Sequence, residues 1–111
     1  MATHVFAHGQ ELSAFAFEQI TVNGAVGFTS ATFNPSNTGG PAQRAVVTVE
    51  TDQVRYTIDG TTPTSTVGHL LAVGDVLVLE GRKNLSNAKF IKVTNNATIS
   101  CTYERLFVRG A

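Results

Sequence analysis

The sequence predicts an all-β protein, a single-domain antiparallel β-sandwich of the jelly-roll type or, as an alternative, of the immunoglobulin-like type. Segments of alternating apolar and polar residues recur along the chain, and turn residues separate them at intervals of about 8–12 residues. No segment carries an apolar stripe of helical periodicity. The chain has 111 residues, ten of them glycine, so it can bury one modest core built from about eight short strands.

The N-terminal segment differs from the rest of the chain. Residues 1–16 mix phenylalanine with alanine, histidine and polar residues and show no clear periodicity. Two interpretations stay open. The segment is either the first strand and turn of the domain or an extended arm over residues 1–16, attached to a β-sandwich domain over residues 17–111. For the arm, we expect Phe6, Phe15 and Phe17 to dock on a neighbouring subunit.

The first clear β-pattern begins at Gln19. Ile20 and Val22 alternate with polar residues, and the Asn23-Gly24 pair that follows is a strong signal for a two-residue hairpin. We therefore predict that the strand turns at this pair and returns over Ala25 to Phe28.

A long loop is predicted from Thr29 to Pro41, which is rich in small and turn-forming residues. Its length exceeds that of most connections in compact domains. Such a loop either makes functional or assembly contacts or is simply exposed to solvent. For the first interpretation, the candidate partner-binding residues are Asn34, Pro35 and Asn37.

Two strands are predicted in the middle of the chain. Arg44 to Thr51 alternates strictly and places one apolar set on a single face, namely Ala45, Val47 and Val49. We expect a turn over Thr51 to Gln53, after which Val54 to Ile58 pairs back on the same strand.

The C-terminal half predicts four further strands. Val67 to Val73 contains a short strand, and Val76 to Glu80 is apolar on both faces, which indicates a central strand covered on both sides. A turn at Gly81 to Asn84 follows. Lys89 to Val93 and Ala97 to Glu104 are then expected to pair with each other. The last strand should direct four residues inward, namely Ala97, Ile99, Cys101 and Tyr103.

The charge content limits the possible partners. Charged residues make up 14% of the chain, and the eight basic residues balance the eight acidic ones. A nucleic-acid-binding domain needs a basic excess, so we expect no nucleic-acid partner. The longest apolar runs have the length of a strand, well short of the ~20 residues that span a membrane, so no membrane partner is expected. So few charges favour a protein that covers part of its surface in an assembly.

The N-terminus and the single cysteine indicate the compartment. Met1 to His4 lacks the positive charge that begins a secretion signal, and Cys101 has no partner for an internal disulfide. We expect synthesis in a reducing host cytoplasm and a buried, inert Cys101.

No catalytic constellation is present in the sequence, which predicts a protein that is not an enzyme and has no cofactor. His4 and His8 could share a helix face with Glu11 and bind a metal, but the segment lacks helical character, so no metal site is expected. Asp59 and Asp75 lie beside glycines at strand ends, where carboxylates usually accept hydrogen bonds from backbone N–H groups.

Part of the chain resembles structural proteins of tailed bacteriophages. The similarity covers a little over half of the sequence, and four motifs carry it: Ala45 to Thr51, Arg55 to Thr64, Val67-Gly68-His69 with Gly74-Asp75, and Ala97 to Glu104. Size and β-pattern are similar to the small jelly-roll staple, or decoration, proteins of podophage capsids, such as those of epsilon-type Salmonella phages.

This resemblance implies a structural virion protein on the outer surface of an icosahedral capsid, where it bridges subunits of the major capsid protein and stabilises the shell. We also expect self-association, as a dimer or around a capsid symmetry axis. One alternative is a structural module of a phage tail or fibre. Another is a carbohydrate-binding β-sandwich, which the absence of tryptophan and the inward positions of Tyr56 and Tyr103 disfavour.

Overall fold

The computed structural model of the protein describes residues 10–34 and 40–108. Seven strands and two short helices occur in these residues. Their bounds are β1 (Gln10–Val22), α1 (Ser30–Phe33), β2 (Arg44–Val49), β3 (Val54–Thr57), β4 (His69–Leu71), β5 (Val76–Glu80), α2 (Arg82–Asn87), β6 (Lys89–Lys92) and β7 (Ala97–Val108). Neither helix is long and apolar enough to cross a membrane.

The strands form two antiparallel sheets that share one core. The four-stranded sheet has the order β1-β7-β2-β5, and the three-stranded sheet has the order β4-β3-β6. Apolar side chains from both sheets belong to the same buried cluster. The predicted all-β sandwich is therefore confirmed.

The core forms where the strand alternation is strictest. In β2, and in β7 as far as Tyr103, every second residue is buried, as predicted for Ala45, Val47 and Val49 and for the inward residues of the last strand. Between the sheets lies an aromatic cluster of Phe28, Phe33, Phe90 and Tyr103, with Phe28 and Tyr103 ring centroids 5.4 Å apart. Contacts between rings at this distance and angle add to the stabilisation that burial supplies.

Cys101 lies in this core and is completely buried. Burial, with the nearby Glu18 carboxylate, raises the pKa of its thiol to about 12. A thiol with so high a pKa stays protonated and unreactive at neutral pH. The expected burial of Cys101 is confirmed.

Two predicted hairpins are wrong. The strand β3 does not pair with β2, and β6 does not pair with β7, because each of these connections crosses from one sheet to the other. A short turn has the same composition whether it joins neighbours in one sheet or strands in opposite sheets. Only the packing of two apolar inner faces decides between the two arrangements.

The predicted return strand after Asn23-Gly24 is also wrong. Val26 does not pair with β1 but forms an isolated bridge to Phe90 of β6. The chain therefore leaves the four-stranded sheet after Val22 and crosses to the edge of the other sheet. Val26 is brought there because Phe28, two residues later, packs against Phe90 in the core.

The strand β5 is not central, as its apolar character had predicted, but lies at the edge of the four-stranded sheet. Val76 and Val78 are exposed, and only Leu79 is buried. A strand with apolar residues on both faces is buried only where a layer of structure covers each side of its sheet. Within the described residues, no layer covers the outer side of the four-stranded sheet at β5.

The connections contain short helices where loops and turns were expected. Within the predicted Thr29 to Pro41 loop, α1 directs Phe33 into the core, and α2 replaces the predicted turn after Gly81 and buries Leu85. The two predicted carboxylate caps are confirmed. The Thr61 N–H donates to Asp59 Oδ1 at 3.0 Å, and the Ala72 N–H donates to Asp75 Oδ2 at 2.8 Å.

Candidate functional site

The four-stranded sheet has an outer face whose two middle rows are uncharged and half apolar. Four residues lie in register across it, one from each strand: Phe17 opposite Thr102, Thr102 opposite Val46, and Val46 opposite Val78. The neighbouring row contains Gln19, Ser100, Thr48 and Val76. Neither row contains a charged residue. We call these two rows the outer face.

Three of the four apolar side chains of the outer face are strongly exposed, and the fourth, Val46, is half-buried. The exposed fractions are 60% for Phe17, 59% for Val76 and 50% for Val78. The solvent side of an antiparallel sheet usually carries polar residues. An apolar group of this kind on a small protein typically marks a contact surface for another molecule.

Paired charges border the outer face at one end. In the next row, the Arg44 Nε donates to Glu104 Oε1, and Arg44 Nη1 lies 3.6 Å from Glu80 Oε2. Arg44 and Glu104 are mostly buried at their side chains, whereas Glu80 is exposed. An apolar centre with a polar rim is the usual anatomy of a protein–protein interface.

The opposite end of the outer face is polar as well. The Ser100 hydroxyl donates to Glu50 Oε2 at 2.7 Å, and Gln19 Nε2 donates to Ser100 Oγ at 3.0 Å. These bonds hold the polar side chains in place beside the apolar row. The outer face is thus a preformed surface on a rigid sheet.

Two of the phenylalanines expected to dock on a partner have different surroundings. Phe17 belongs to the outer face. Phe15 lies at an irregularity between Ala14 and Ala16, where β1 shifts its register against β7. Its half-buried ring packs against the core, and the Arg105 guanidinium carbon lies 4.3 Å from the ring centroid. Phe6 lies outside the described residues.

The loop candidates lie around a second surface, a groove between α1 and α2. Asn34 ends α1, and its N–H donates to Ser30 O at 2.8 Å. Two adjoining cavities of about 360 and 340 Å³ share Asn34, Phe33 and Ser86 in their walls. Pro35 and Asn37 lie outside the described residues. We call this surface the α1–α2 groove.

A partly buried pair of hydrogen bonds attaches the groove to the sandwich. The Tyr103 hydroxyl donates to Glu18 Oε2, which also accepts from the Thr29 N–H at 3.0 Å just before α1. Burial, together with this bond to Glu18, raises the pKa of Tyr103 far above its usual range. Tyr103 therefore remains a neutral donor and keeps the start of α1 in a fixed position.

Four residues of the outer face were not among the candidates predicted from the sequence: Val46, Val76, Val78 and Thr102. The two-sided apolar pattern of Val76 to Glu80 is the one feature of the sequence that indicates this face, but the same pattern is typical of a strand covered on both sides. Among residues 10–34 and 40–108, no group of three His, Cys, Asp or Glu residues could hold a metal ion. No arrangement described above provides a nucleophile with an adjacent base.

No protein-family model, curated protein or solved structure matches this chain.

Proposed function

We propose that this protein is a structural virion protein that decorates the outside of an icosahedral phage capsid and bridges subunits of the major capsid protein. The observation that carries the proposal is the uncharged, exposed outer face of the four-stranded sheet. Phe17, Val46 and Val78 form an apolar row across this face. A rigid apolar sheet surface with a polar rim suits attachment to another protein.

The resemblance to phage structural proteins and the outer face coincide in the chain. The similar segment, Ala45 to Glu104, includes β5 and most of β2 and β7. It therefore supplies Val46, Val76 and Val78, and Phe17 of β1 completes the row. The part of the chain that resembles phage structural proteins is thus the part that builds most of the candidate surface.

The strand order supports the jelly-roll form of the sandwich. In an eight-stranded jelly roll, strands one, eight, three and six form one sheet, and strands two, seven, four and five form the other. If the Val26 segment is counted as a short second strand, each later strand moves up by one number. The sheet β1-β7-β2-β5 then has the order one, eight, three, six. The other sheet, with Val26 beside β6, has the order two, seven, four, five. Viral capsid proteins commonly use this topology, although fold alone does not imply function.

The size of the outer face supports a protein that makes several contacts. Four strands spaced ~4.8 Å apart cover about 14 Å, so two rows of side chains bury only a few hundred Å². A stable interface buries about 800 Å² per partner. Attachment to a shell would therefore combine the outer face with self-association or with contacts from other segments, including residues 1–9.

Quantitative mass spectrometry of purified phage particles tests the proposal. The ratio of this chain to the major capsid protein is expected to be a simple fraction, as required for regular decoration of the shell. A few copies per particle would instead place the protein in the tail or a fibre. Absence from the particle would contradict a virion role, and a glycan-binding screen would then test the carbohydrate-binding alternative.

A truncation tests the arm separately. Removing residues 1–9 leaves β1 complete, whereas removing residues 1–16 also removes half of that strand. If the arm contributes to attachment, the shorter truncation should weaken binding to particles without changing the thermal stability of the domain. Unchanged binding would exclude a contribution from Phe6.

A further inference from the structure

The α1–α2 groove contains an unpaired backbone edge. Val26 bonds to β6 through two hydrogen bonds, from Val26 N to Phe90 O at 2.9 Å and from Phe90 N to Val26 O at 2.8 Å. In an antiparallel ladder, successive residues direct their N–H and C=O groups to opposite edges. The polar groups of Ala25 and Gly27 are therefore directed away from β6, and both residues line the larger cavity of the groove.

This edge has no partner strand in the part of the chain that the structure describes. Neither Ala25 nor Gly27 forms a hydrogen bond within residues 10–34 and 40–108. A Cβ atom at Gly27 would lie 3.0 Å from the Ala88 carbonyl oxygen, closer than Cβ atoms usually approach a neighbour, so glycine suits this position. Exposed edges of this kind can accept an added strand from another chain.

The walls of the groove are cationic. Arg82 and Lys83 line one cavity and Lys89 lines the other, and the lining residues of the two cavities include no aspartate or glutamate. Lys89 Nζ makes only a long contact of 3.4 Å to the Gly60 carbonyl oxygen. A ligand that carries carboxylates would find complementary charge along the whole groove.

The floor of the groove is aromatic but offers no ring face. Phe28 and Phe33 line it, yet each is only 8% exposed. Sugar rings usually stack on an open aromatic face, so the floor favours small apolar side chains over a glycan. Cavities of about 360 and 340 Å³ are large enough to hold a few such side chains.

We propose that the α1–α2 groove binds an extended acidic peptide segment of a partner protein, which pairs with the backbone of Ala25 to Gly27 as an added strand. Its apolar side chains contact the floor, and its carboxylates lie beside Arg82, Lys83 and Lys89. The proposal concerns a different surface from the outer face and does not depend on the role of that face.

Titration of the isotope-labelled protein with short peptides, followed by NMR, tests this inference. The probe is a capped heptapeptide of alternating glutamate and valine, and its control has lysine in place of glutamate. The acidic peptide should shift the amide signals of Ala25, Gly27 and Lys89 and slow hydrogen exchange at Ala25 and Gly27. The lysine peptide should bind at least about tenfold more weakly.

Two lysines of the same strand provide matched variants. Lys89 lies in the groove, whereas Lys92, at the other end of β6, donates to Asn23 Oδ1 and Asn96 Oδ1. Lys89→Glu should weaken binding of the acidic peptide by about fivefold or more, and Lys92→Glu should leave it unchanged. Equal effects of the two substitutions would show that binding depends on the net charge of the protein and not on the groove, and would overturn the proposal.

Three other results would also overturn it. The first is binding of both peptides with equal affinity, and the second is the absence of any shift at millimolar peptide. The third is a shift of the groove signals by an oligogalacturonate but not by the acidic peptide, which would indicate a site for an acidic glycan. None of these results would affect the mass-spectrometric test of virion incorporation, so the two proposals fail independently.

Discussion

The outer surfaces of the two sheets differ in how their side chains are used. At the centre of the three-stranded sheet, Arg55 lies between Leu70 and Ile91. Its Nε donates to Ser65 O at 3.0 Å and its Nη1 donates to Gly68 O at 2.9 Å. At the corresponding centre of the four-stranded sheet, Thr102 forms no side-chain hydrogen bond within the described residues.

This difference distinguishes a surface that serves the fold from the surface to which we propose that a partner attaches. On the outer side of the three-stranded sheet, the Arg55 guanidinium donates two hydrogen bonds that hold the loop between β3 and β4 in place. In the outer face of the four-stranded sheet, Ser100 bonds to Glu50, but the row of Phe17, Thr102, Val46 and Val78 forms no side-chain hydrogen bond within the described residues. An exposed apolar surface that contributes little to its own domain is the kind of surface that our proposal requires.

The largest expected effect is a difference in the free energy of unfolding between two alanine variants, one of a core phenylalanine and one of a phenylalanine on the outer face. Phe90 is completely buried, whereas Phe17 is 60% exposed. We expect Phe90→Ala to lower the free energy of unfolding by about 3–5 kcal/mol, since it leaves a cavity in the core. Phe17→Ala should lower it by less than about 1 kcal/mol. Urea unfolding of both variants measures this, and similar losses would mean that Phe17 is part of the core.

Two residues of almost equal exposure test which sheet attaches to the capsid. Val78 on the outer face is 50% exposed, and Leu70 on the three-stranded sheet is 49% exposed. A lysine within an apolar contact should be poorly tolerated, so we expect Val78→Lys to weaken binding to capsids about 30-fold, or ~2 kcal/mol.

Leu70→Lys serves as the control for that measurement, because both substitutions place a lysine on an edge strand, where it is well tolerated. Sedimentation of each variant with capsids lacking the protein measures the affinity. A stronger loss for Leu70→Lys would assign attachment to the three-stranded sheet and contradict the docking role of the outer face.

A smaller effect is expected at the centres of the two sheets. Arg55→Met removes two hydrogen bonds to the loop between β3 and β4 and should lower the free energy of unfolding by about 1–2 kcal/mol. Thr102→Val should change it by no more than about 0.5 kcal/mol, because no hydrogen bond is lost. Thermal unfolding checks both values. A comparable loss for Thr102→Val would show that the outer face also serves the fold.

The smallest effect concerns acid stability near the three-stranded sheet. The pKa of Asp59 is lowered because its carboxylate accepts from the Thr61 backbone N–H and side chain. The pKa of Asp52 is lowered mainly by the bond from the Asn95 side chain and also by the Gln53 N–H. Both aspartates lie in turns next to β3, on the side of the molecule where polar groups stabilise the fold.

The direction of the pH effect follows from these lowered values. A carboxyl group with a lowered folded pKa contributes its stability above the unfolded pKa of about 4 and loses it as the pH falls through the folded pKa. Thermal stability should therefore decrease below about pH 4, and Asp59→Asn should reduce this decrease. Melting curves from pH 7 to pH 2.5 measure it. An unchanged pH profile for Asp59→Asn would contradict a role for that carboxylate.

Much of the local structure could be predicted from the sequence. The alternation in Ala97 to Glu104 identified the inward side chains of β7, and the positions of Asp59 and Asp75 beside glycine identified two turn caps. These features depend on the preferences of neighbouring residues along the chain. The candidate site was harder to predict, since only Phe17 and Asn34 were identified in advance within the described residues.

What the sequence determined by itself is the fold class, because strand periodicity, turn residues and inward faces are properties of short segments. Only the tertiary structure decided how the strands are partitioned between the sheets and that β5 lies at an edge. Both depend on which apolar faces cover each other in three dimensions, and residues distant in the chain supply those faces. The same long-range packing brings Phe17, Thr102, Val46 and Val78 into one row and leaves Ala25 and Gly27 unpaired in the groove.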